Sequence, residues 1–593
     1  MEEGWKTNKV TEKLRSEISQ FVEDAVIKPI PSISFHGYQS FLEKGSRSES
    51  EEEYFLVRKH LAAFALYLQW NQTDAVIKYF NELLWVVANE FSWCLAAHLP
   101  YGEESFLPEA DQHIDLFAAE TAHTLSEALI LHKKIIHPYI YNYVLEQVKR
   151  RILRPFINKT WGWETSINNW CAVCAGSIGM TALLLEEELG SNKDERKALL
   201  TTNFESRKAH IEYKEDILQK VDRVLVNYLK CFKEDGGTEE GIGYWVYGFG
   251  YYIYYLKMRL GKDKSFALDK ETSDKLQKIS RFPTCAQIKG SEFLPFSDVS
   301  AGTLIPTGLV SCLKTHFDVT PPSCKEITPF DFDHCYRFAH LSRNLWWTKE
   351  EVITREEISH TTYFQNLQWL IQKKGAYFFA VKGGHNQEEH NHNDVGSFVL
   401  ALGGELILTD LGAGPYTAAY FTDKRYQHAH TRSYWHNVPF IEKREQMPIF
   451  GECMAADVIT DPAIAGITLE YSDMYNIKEL TSLHRKFHNN LEEKKLTITD
   501  SFHGVKPLCF EEGFVSTIKP VLQEDGSLFW AGKSGTVTLL VSENLHCTKI
   551  EEELLFDHSG KPFTAYRTAL ELKQQTIEEK ITLNFVYEMY KCS

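Results

Sequence analysis

His390-Asn391-His392-Asn393-Asp394-Val395-Gly396-Ser397-Phe398 places two imidazoles two residues apart, among amides and a carboxylate. It opens into a strand-like apolar run, Phe398-Val399-Leu400-Ala401-Leu402, then Gly403-Gly404 and Glu405-Leu406-Ile407-Leu408-Thr409-Asp410. In an extended chain side chains alternate faces, so His390 and His392 are expected on one side. Two neutral imidazoles on one face can bind a metal together, or one can ligate while the other handles a substrate proton.

Downstream of this stretch, period-two alternation returns in Lys495-Leu496-Thr497-Ile498-Thr499-Asp500, Thr536-Val537-Thr538-Leu539-Leu540-Val541 and Ile581-Thr582-Leu583-Asn584-Phe585-Val586-Tyr587. Ala376-Tyr377-Phe378-Phe379-Ala380-Val381 shows it just upstream. Short connections containing Gly, Asn and Asp predict antiparallel sheets stacked as a sandwich. Before about residue 256 the pattern is different. Apolar residues recur at three- and four-residue spacing over 55–68, 75–88, 115–131, 136–157, 170–189 and 210–232, which predicts helices. Short polar breaks between them imply antiparallel hairpins, as a solenoid or a ring. Pro321-Pro322 and the residues to about Trp347 mark the crossing. The expectation is an α+β multidomain chain, with a helical domain over 1–345 and an antiparallel β-sandwich over 346–593.

A chain of 593 residues is too long for one core. Its 13% aromatic content, with 28 Tyr and 13 Trp, suits sugar-stacking grooves, although large cores also consume aromatics. A net charge of −17, from 64 basic and 81 acidic residues, argues against nucleic acid as partner. It leaves room for an anionic ligand in a locally basic cleft. No signal-peptide core follows Met1-Glu2-Glu3-Gly4-Trp5-Lys6, and no stretch has the length of a membrane span. Twelve scattered cysteines, with Cys171 and Cys174 inside an apolar helix-like run, read as reduced core thiols. A cytoplasmic location is expected, without nucleic-acid or membrane partners; the oligomeric state stays open.

Chemistry concentrates in three places. Ser166-Ile167-Asn168-Asn169-Trp170 leads into a helix, where an asparagine pair reads first as a cap. Glu234-Asp235-Gly236-Gly237-Thr238-Glu239-Glu240-Gly241-Ile242-Gly243-Tyr244-Trp245-Val246-Tyr247-Gly248 is a glycine-dense loop able to bring backbone close to a ligand. Tyr244 and Tyr247 should share one face of the helix that follows, where aromatic packing is the plain reading. Third, His392, Asp410 and His436 make a plausible two-imidazole, one-carboxylate metal site with a position open to water. A cupin site fails here, because Gly396 and Ser397 stand where its glutamate belongs.

Together, Gly383-Gly384, 390–398, Gly404-Glu405, Asp410-Leu411-Gly412 and His436-Asn437 resemble the heparinase II/III-like polysaccharide lyases. Asn168-Asn169 and Glu240-Gly241-x-x-Tyr244 resemble active-site segments of the same family. The resemblance implies an incomplete (α/α) toroid on an antiparallel β-sandwich. It implies β-elimination on uronate-containing glycans, glycosaminoglycan-type above all, giving 4,5-unsaturated ends. Asn169 would neutralise the uronate carboxylate, with Tyr244 and His390 as acid and base. His392, Asp410 and His436 would hold one structural divalent ion, zinc first, with manganese or calcium as alternatives. Trp170 stands where many relatives carry histidine; Trp170, Tyr247 and Arg432 are the substrate-binding candidates. A uronate C5-epimerase and an inactive carbohydrate-binding protein of the same fold are the other readings. The presence of Asn169, Tyr244 and His390 speaks against the last.

Overall fold

The computed structural model describes residues 8–44, 47–100, 107–190, 213–354, 358–388, 390–416, 420, 422–448 and 450–590. The helical half includes Arg47–Tyr67, Asp74–Ala88, Leu116–His132, Asn169–Leu184, Tyr213–Tyr228, Gly250–Lys262, Lys270–Ala286, Thr307–Phe317 and Phe338–Trp347. Residues 210–212, the expected start of one helix, lie outside the described residues.

Two kinds of helix alternate in this half. Leu116–His132 and Asn169–Leu184 are buried nearly all round and pack on each other. Asp74–Ala88 and Tyr213–Tyr228 bury a single stripe, such as Val76, Phe80, Leu83 and Val87 in the first. A helix apolar on every side must sit inside, whereas an amphipathic one shields it from water. Paired inner and outer helices are the layout of an (α/α) toroid. Cys171 and Cys174 are both core thiols of the inner helix Asn169–Leu184. One buried charge pair braces this ring: Arg343 Nη1 meets Glu127 Oε2 at 2.6 Å, tying Phe338–Trp347 to Leu116–His132. The half is not purely helical, because Gln287–Lys289 and Glu292–Phe293 form a small hairpin.

From His360 onward three antiparallel sheets follow. The first is a five-stranded meander of His360–Phe364, Trp369–Lys374, Tyr377–Val381, Phe398–Leu402 and Glu405–Leu408. An eight-stranded sheet runs from Val521–Leu522 at one edge to Met454–Thr460 at the other. The four-stranded sheet orders Leu545–Phe556, Pro562–Leu572, Phe510–Ser516 and Pro439–Ile441. The meander is the middle layer of the molecule. Along Phe398–Leu402, Val399 and Ala401 join the core of the helices, while Phe398, Leu400 and Leu402 join the core of the other sheets. Both faces are covered, which explains five consecutive apolar residues instead of a half-polar alternation. Phe398 is the anchor, with ring centroids 5.7 Å from Phe487, 5.8 Å from Phe585 and 6.3 Å from Phe514. The 390–397 loop therefore emerges from a fixed point between the two cores. Among the described residues no helix is long and apolar enough to cross a membrane.

Candidate active site and metal cluster

His390 and His392 do not lie on an extended strand. They belong to a loop in which His390 takes a left-handed conformation, φ +56°, and the strand begins only at Phe398. The shared face expected from alternation is replaced by a shared partner. Asp298, from the helical half, accepts His390 Nδ1 on Oδ2 at 3.0 Å and faces His392 Nε2 with Oδ1 at 3.2 Å.

Asp298 is the centre of the site, and the sequence reading did not single it out. Its carboxylate also accepts Tyr420 Oη at 2.6 Å, Tyr416 Oη at 3.2 Å and Arg425 Nη2 at 2.9 Å. Burial alone would raise its pKa. The hydrogen bonds from His390 and His392 and the charges of His392 and Arg425 outweigh burial and hold it well below the carboxylate range. Gly412 stitches this segment to the sheets. Its φ is +61°, a Cβ there would lie 2.3 Å from the Val299 carbonyl oxygen, and Ala413 N–H donates to that same oxygen at 3.0 Å. The one local signal was a lone acid in the apolar run Phe293-Leu294-Pro295-Phe296-Ser297-Asp298-Val299.

Tyr244 stacks on His390, ring centroids 4.0 Å apart and planes at 23°. A phenol from the helices and an imidazole from the sheets thus touch across the boundary between the two halves. Tyr244 Oη lies 2.7 Å from Tyr416 Oη. Tyr416 spends its proton on Asp298, so Tyr244 is the donor of that pair and the chain runs Tyr244, Tyr416, Asp298. Burial raises the Tyr244 pKa, the Asp298 charge raises it further, and the Tyr416 bond only partly opposes them. A phenol so placed is neutral and holds a proton to give. On its other side His390 Nε2 lies 3.8 Å from Glu240 Oε1.

Tyr247 does not share the surroundings of Tyr244. The α-helix Gly241–Tyr244 passes into a π-helical turn, Trp245–Phe249, whose wider winding breaks the three-residue match assumed from α geometry. Tyr247 packs under Arg337, whose guanidinium carbon is 4.0 Å from the ring centroid. The asparagine pair is likewise divided. Asn168 is the cap, accepting Trp170 N–H at 3.2 Å, and Asn169 is the buried first residue of the helix. Asn169 sits against Gly248, where a Cβ would come within 3.1 Å of the Asn169 Cβ and 2.5 Å of Tyr228 Oη. Trp170 is half-buried, its ring 4.8 Å from that of His98. Arg432 is ion-paired with Glu445 and lines a pocket with Tyr434, Glu551 and Glu553. The guanidinium joined to Asp298 is that of Arg425.

His392, Asp410, His436 and Asp394 are all buried, and each brings a ligand atom within 4.8 Å of the others. His436 Nδ1 lies 2.9 Å from the Arg432 carbonyl, so it carries the proton and leaves Nε2 as a lone pair. His392 gives its Nε2 proton to Asp298, leaving Nδ1. These two lone pairs stand 3.2 Å apart, with Asp410 oxygens 3.3 Å from His436 Nε2 and 3.7 Å from His392 Nδ1. Ligands about 2.0 Å from a tetrahedral ion are separated by about 3.3 Å, so the cluster fits a cation. Asp410 Oδ2 and Asp394 Oδ2 are buried without hydrogen-bond partners. Burial disfavours a charged His392, but Asp298 and Asp410 outweigh it and raise its pKa, a demand for positive charge that a cation meets. Metal analysis should accordingly find one divalent ion per chain, lost on His392→Ala together with a lower unfolding midpoint. Unchanged metal content in that variant would remove His392 from the ligand set.

Residues 360–582 match the family described as heparinase II/III-like, C-terminal. The whole chain is similar in fold to solved polysaccharide lyases. Heparan sulfate lyase HepC from Pedobacter heparinus aligns over 98% of this chain and 88% of its own, at 12% identity and a TM-score of 0.61. Heparinase III aligns over 99% and 86%, at 12% identity and a TM-score of 0.63. The chondroitin AC lyase of Streptomyces coelicolor A3, solved with chondroitin sulphate, aligns over 98% and 80%, at 9% identity and a TM-score of 0.56. No curated protein matches the sequence. The toroid-plus-sandwich architecture expected from the resemblance is the fold of these neighbours.

Proposed function

We propose that this chain is a polysaccharide lyase that cleaves uronate-containing glycans, glycosaminoglycan-type first, by β-elimination. The observation that carries the reading is the contact between Tyr244 and His390, two proton-transfer groups of different character delivered from opposite halves of the molecule. The C5 hydrogen of a uronate is α to a carboxylate and is acidic only once that carboxylate's charge is neutralised. Asn169, packed against Gly248 in the turn that follows Tyr244, is the amide suited to that carboxylate. His390 accepts the C5 proton, with Asp298 on Nδ1 fixing the ring so that Nε2 is the basic atom. The C5–H electron pair becomes the C4=C5 double bond as the C4–O bond breaks. Tyr244 gives its proton to the departing oxygen, and the proton taken up by His390 can return to it through Asp298 and Tyr416, whose hydrogen bonds link the two residues.

His392, Asp410 and His436 would hold the divalent ion, zinc by the nitrogen-rich donor set. Bound there, it supplies structural cross-linking of the 390–397 loop to the sheets. The neighbours' names, heparan sulfate lyase and chondroitin AC lyase, support an anionic glycan as substrate. The test is to incubate the protein with hyaluronan, chondroitin, heparan and alginate oligosaccharides and to follow the ultraviolet absorbance of the unsaturated uronate. A rise on at least one is expected. Solvent deuterium entering C5 without a rise would replace the lyase by an epimerase, and binding alone would leave a carbohydrate-binding protein.

A further inference from the structure

A second polar group at the head of the inner helices has no part in the chemistry above. Asp115 caps Leu116–His132 and is fully buried. Its Oδ1 accepts Ala118 N–H at 2.7 Å; its Oδ2 accepts Leu95 N–H at 3.2 Å and meets His98 Nδ1 at 2.7 Å. Burial pushes the Asp115 pKa up, but the His98 bond and charge and the two backbone donors hold it below the ordinary value. The carboxylate is therefore ionised, and the His98 proton facing it is on Nδ1. Nε2 has no partner among the described residues, and the side chain is 14% exposed.

The ring cannot swing freely. Trp170 lies against it at 4.8 Å, and Phe117 stacks at 6.1 Å with planes 26° apart. The Arg337 guanidinium sits 5.7 Å from the same Phe117 ring. Asp115 already has two backbone donors that complete its capping role, so stability alone does not require an imidazole held in one tautomer with an open nitrogen. A carboxylate behind one ring nitrogen, with the other partly exposed, is an arrangement that presents an N–H donor to an anion. Asn169 and Trp170 open the same inner helix, so the His98 ring stands at the helix end that carries the amide assigned to the uronate.

We propose that His98 is a substrate-contacting residue, its Nε2–H donating to the uronate carboxylate that Asn169 also binds, with Trp170 as the flanking wall. This assignment rests on the lyase reading for the identity of its ligand. With Nδ1 on Asp115 and Nε2 on the substrate, the imidazole lies between two carboxylates.

The measurement is calorimetric binding of hyaluronan, chondroitin and heparan oligosaccharides, each against its carboxyl-reduced counterpart, with the full chain carrying Tyr244→Phe to prevent turnover. That chain should prefer the carboxylate form. Adding His98→Ala should cut the preference about tenfold while affinity for the reduced sugar stays within about twofold, a pattern that general loosening of the fold would not give. His98→Gln keeps a polar partner for Asp115 and should also lower the preference, which keeps the test open if the alanine variant folds poorly. An unchanged preference in His98→Gln, or no preference in the Tyr244→Phe chain, overturns the assignment. Absence of unsaturated product from the wild-type chain ends the lyase reading separately, since carboxylate preference is read without turnover.

Discussion

Tyr244→Phe should lower turnover on uronate oligosaccharides by about 10²–10⁴-fold, the range for loss of a positioned general acid. The fold should be nearly unaffected. The phenyl ring keeps its stack on His390, and the only bond removed is the 2.7 Å contact with Tyr416 Oη, worth about 1 kcal/mol. Activity and stability therefore separate, which distinguishes a proton donor from a packing residue. The direction of the Tyr244 shift sharpens the expectation. Burial and the Asp298 charge keep the phenol protonated, as the proposed role of proton donor requires. Isotope incorporation in the variant should then show C5–H exchange outlasting bond cleavage, because His390 remains in place to remove that proton. Wild-type turnover by Tyr244→Phe would take the tyrosine out of the chemistry and leave Tyr416 to be tested in its stead.

What could be read in the sequence was whatever is local or periodic. The inner helix Leu116–His132 shows in its apolar run, and Phe398–Leu402 shows as five apolar residues in a row. The ligand atoms of His392, Asp410 and His436 converge as their residue types suggested. Periodicity could not say that Phe398–Leu402 belongs to two cores, which makes its sheet a layer between helices and sandwich instead of one face of a two-sheet stack. Nor could α-helical spacing place Tyr247, because the π-helical turn at Trp245–Phe249 re-aims everything after Tyr244. Asp298 is the clearest case. Its partners His390, His392, Tyr416, Tyr420 and Arg425 lie between 92 and 127 positions away. No spacing rule spans such a gap, and a single buried acid in an apolar run leaves only a faint mark.

Asp298→Asn, although isosteric, should be strongly damaging. Five donors converge on two carboxylate oxygens, and the amide offers one oxygen and a pair of hydrogens in their place. Whichever way the amide turns, its nitrogen faces at least two of the five former donors, of which only a tyrosine hydroxyl can turn to accept, and Arg425 is left without its balancing charge. Breaking a buried ion pair by removing one partner costs about 3–5 kcal/mol, which should appear as a lower unfolding midpoint. Turnover should fall by about 10²-fold or more even at temperatures where the variant stays folded, because His390 loses the group that fixes its tautomer and Tyr244 loses the end of its proton chain. Arg425→Met separates the two effects. It removes the charge that Asp298 balances but leaves His390, His392 and Tyr416 their acceptor, so it should lose stability and keep most of its turnover. If Asp298→Asn and Arg425→Met lose activity equally, Asp298 serves only to neutralise a buried arginine. A much larger loss in Asp298→Asn would mean that this carboxylate sets the base, the acid and a metal-binding imidazole in one register.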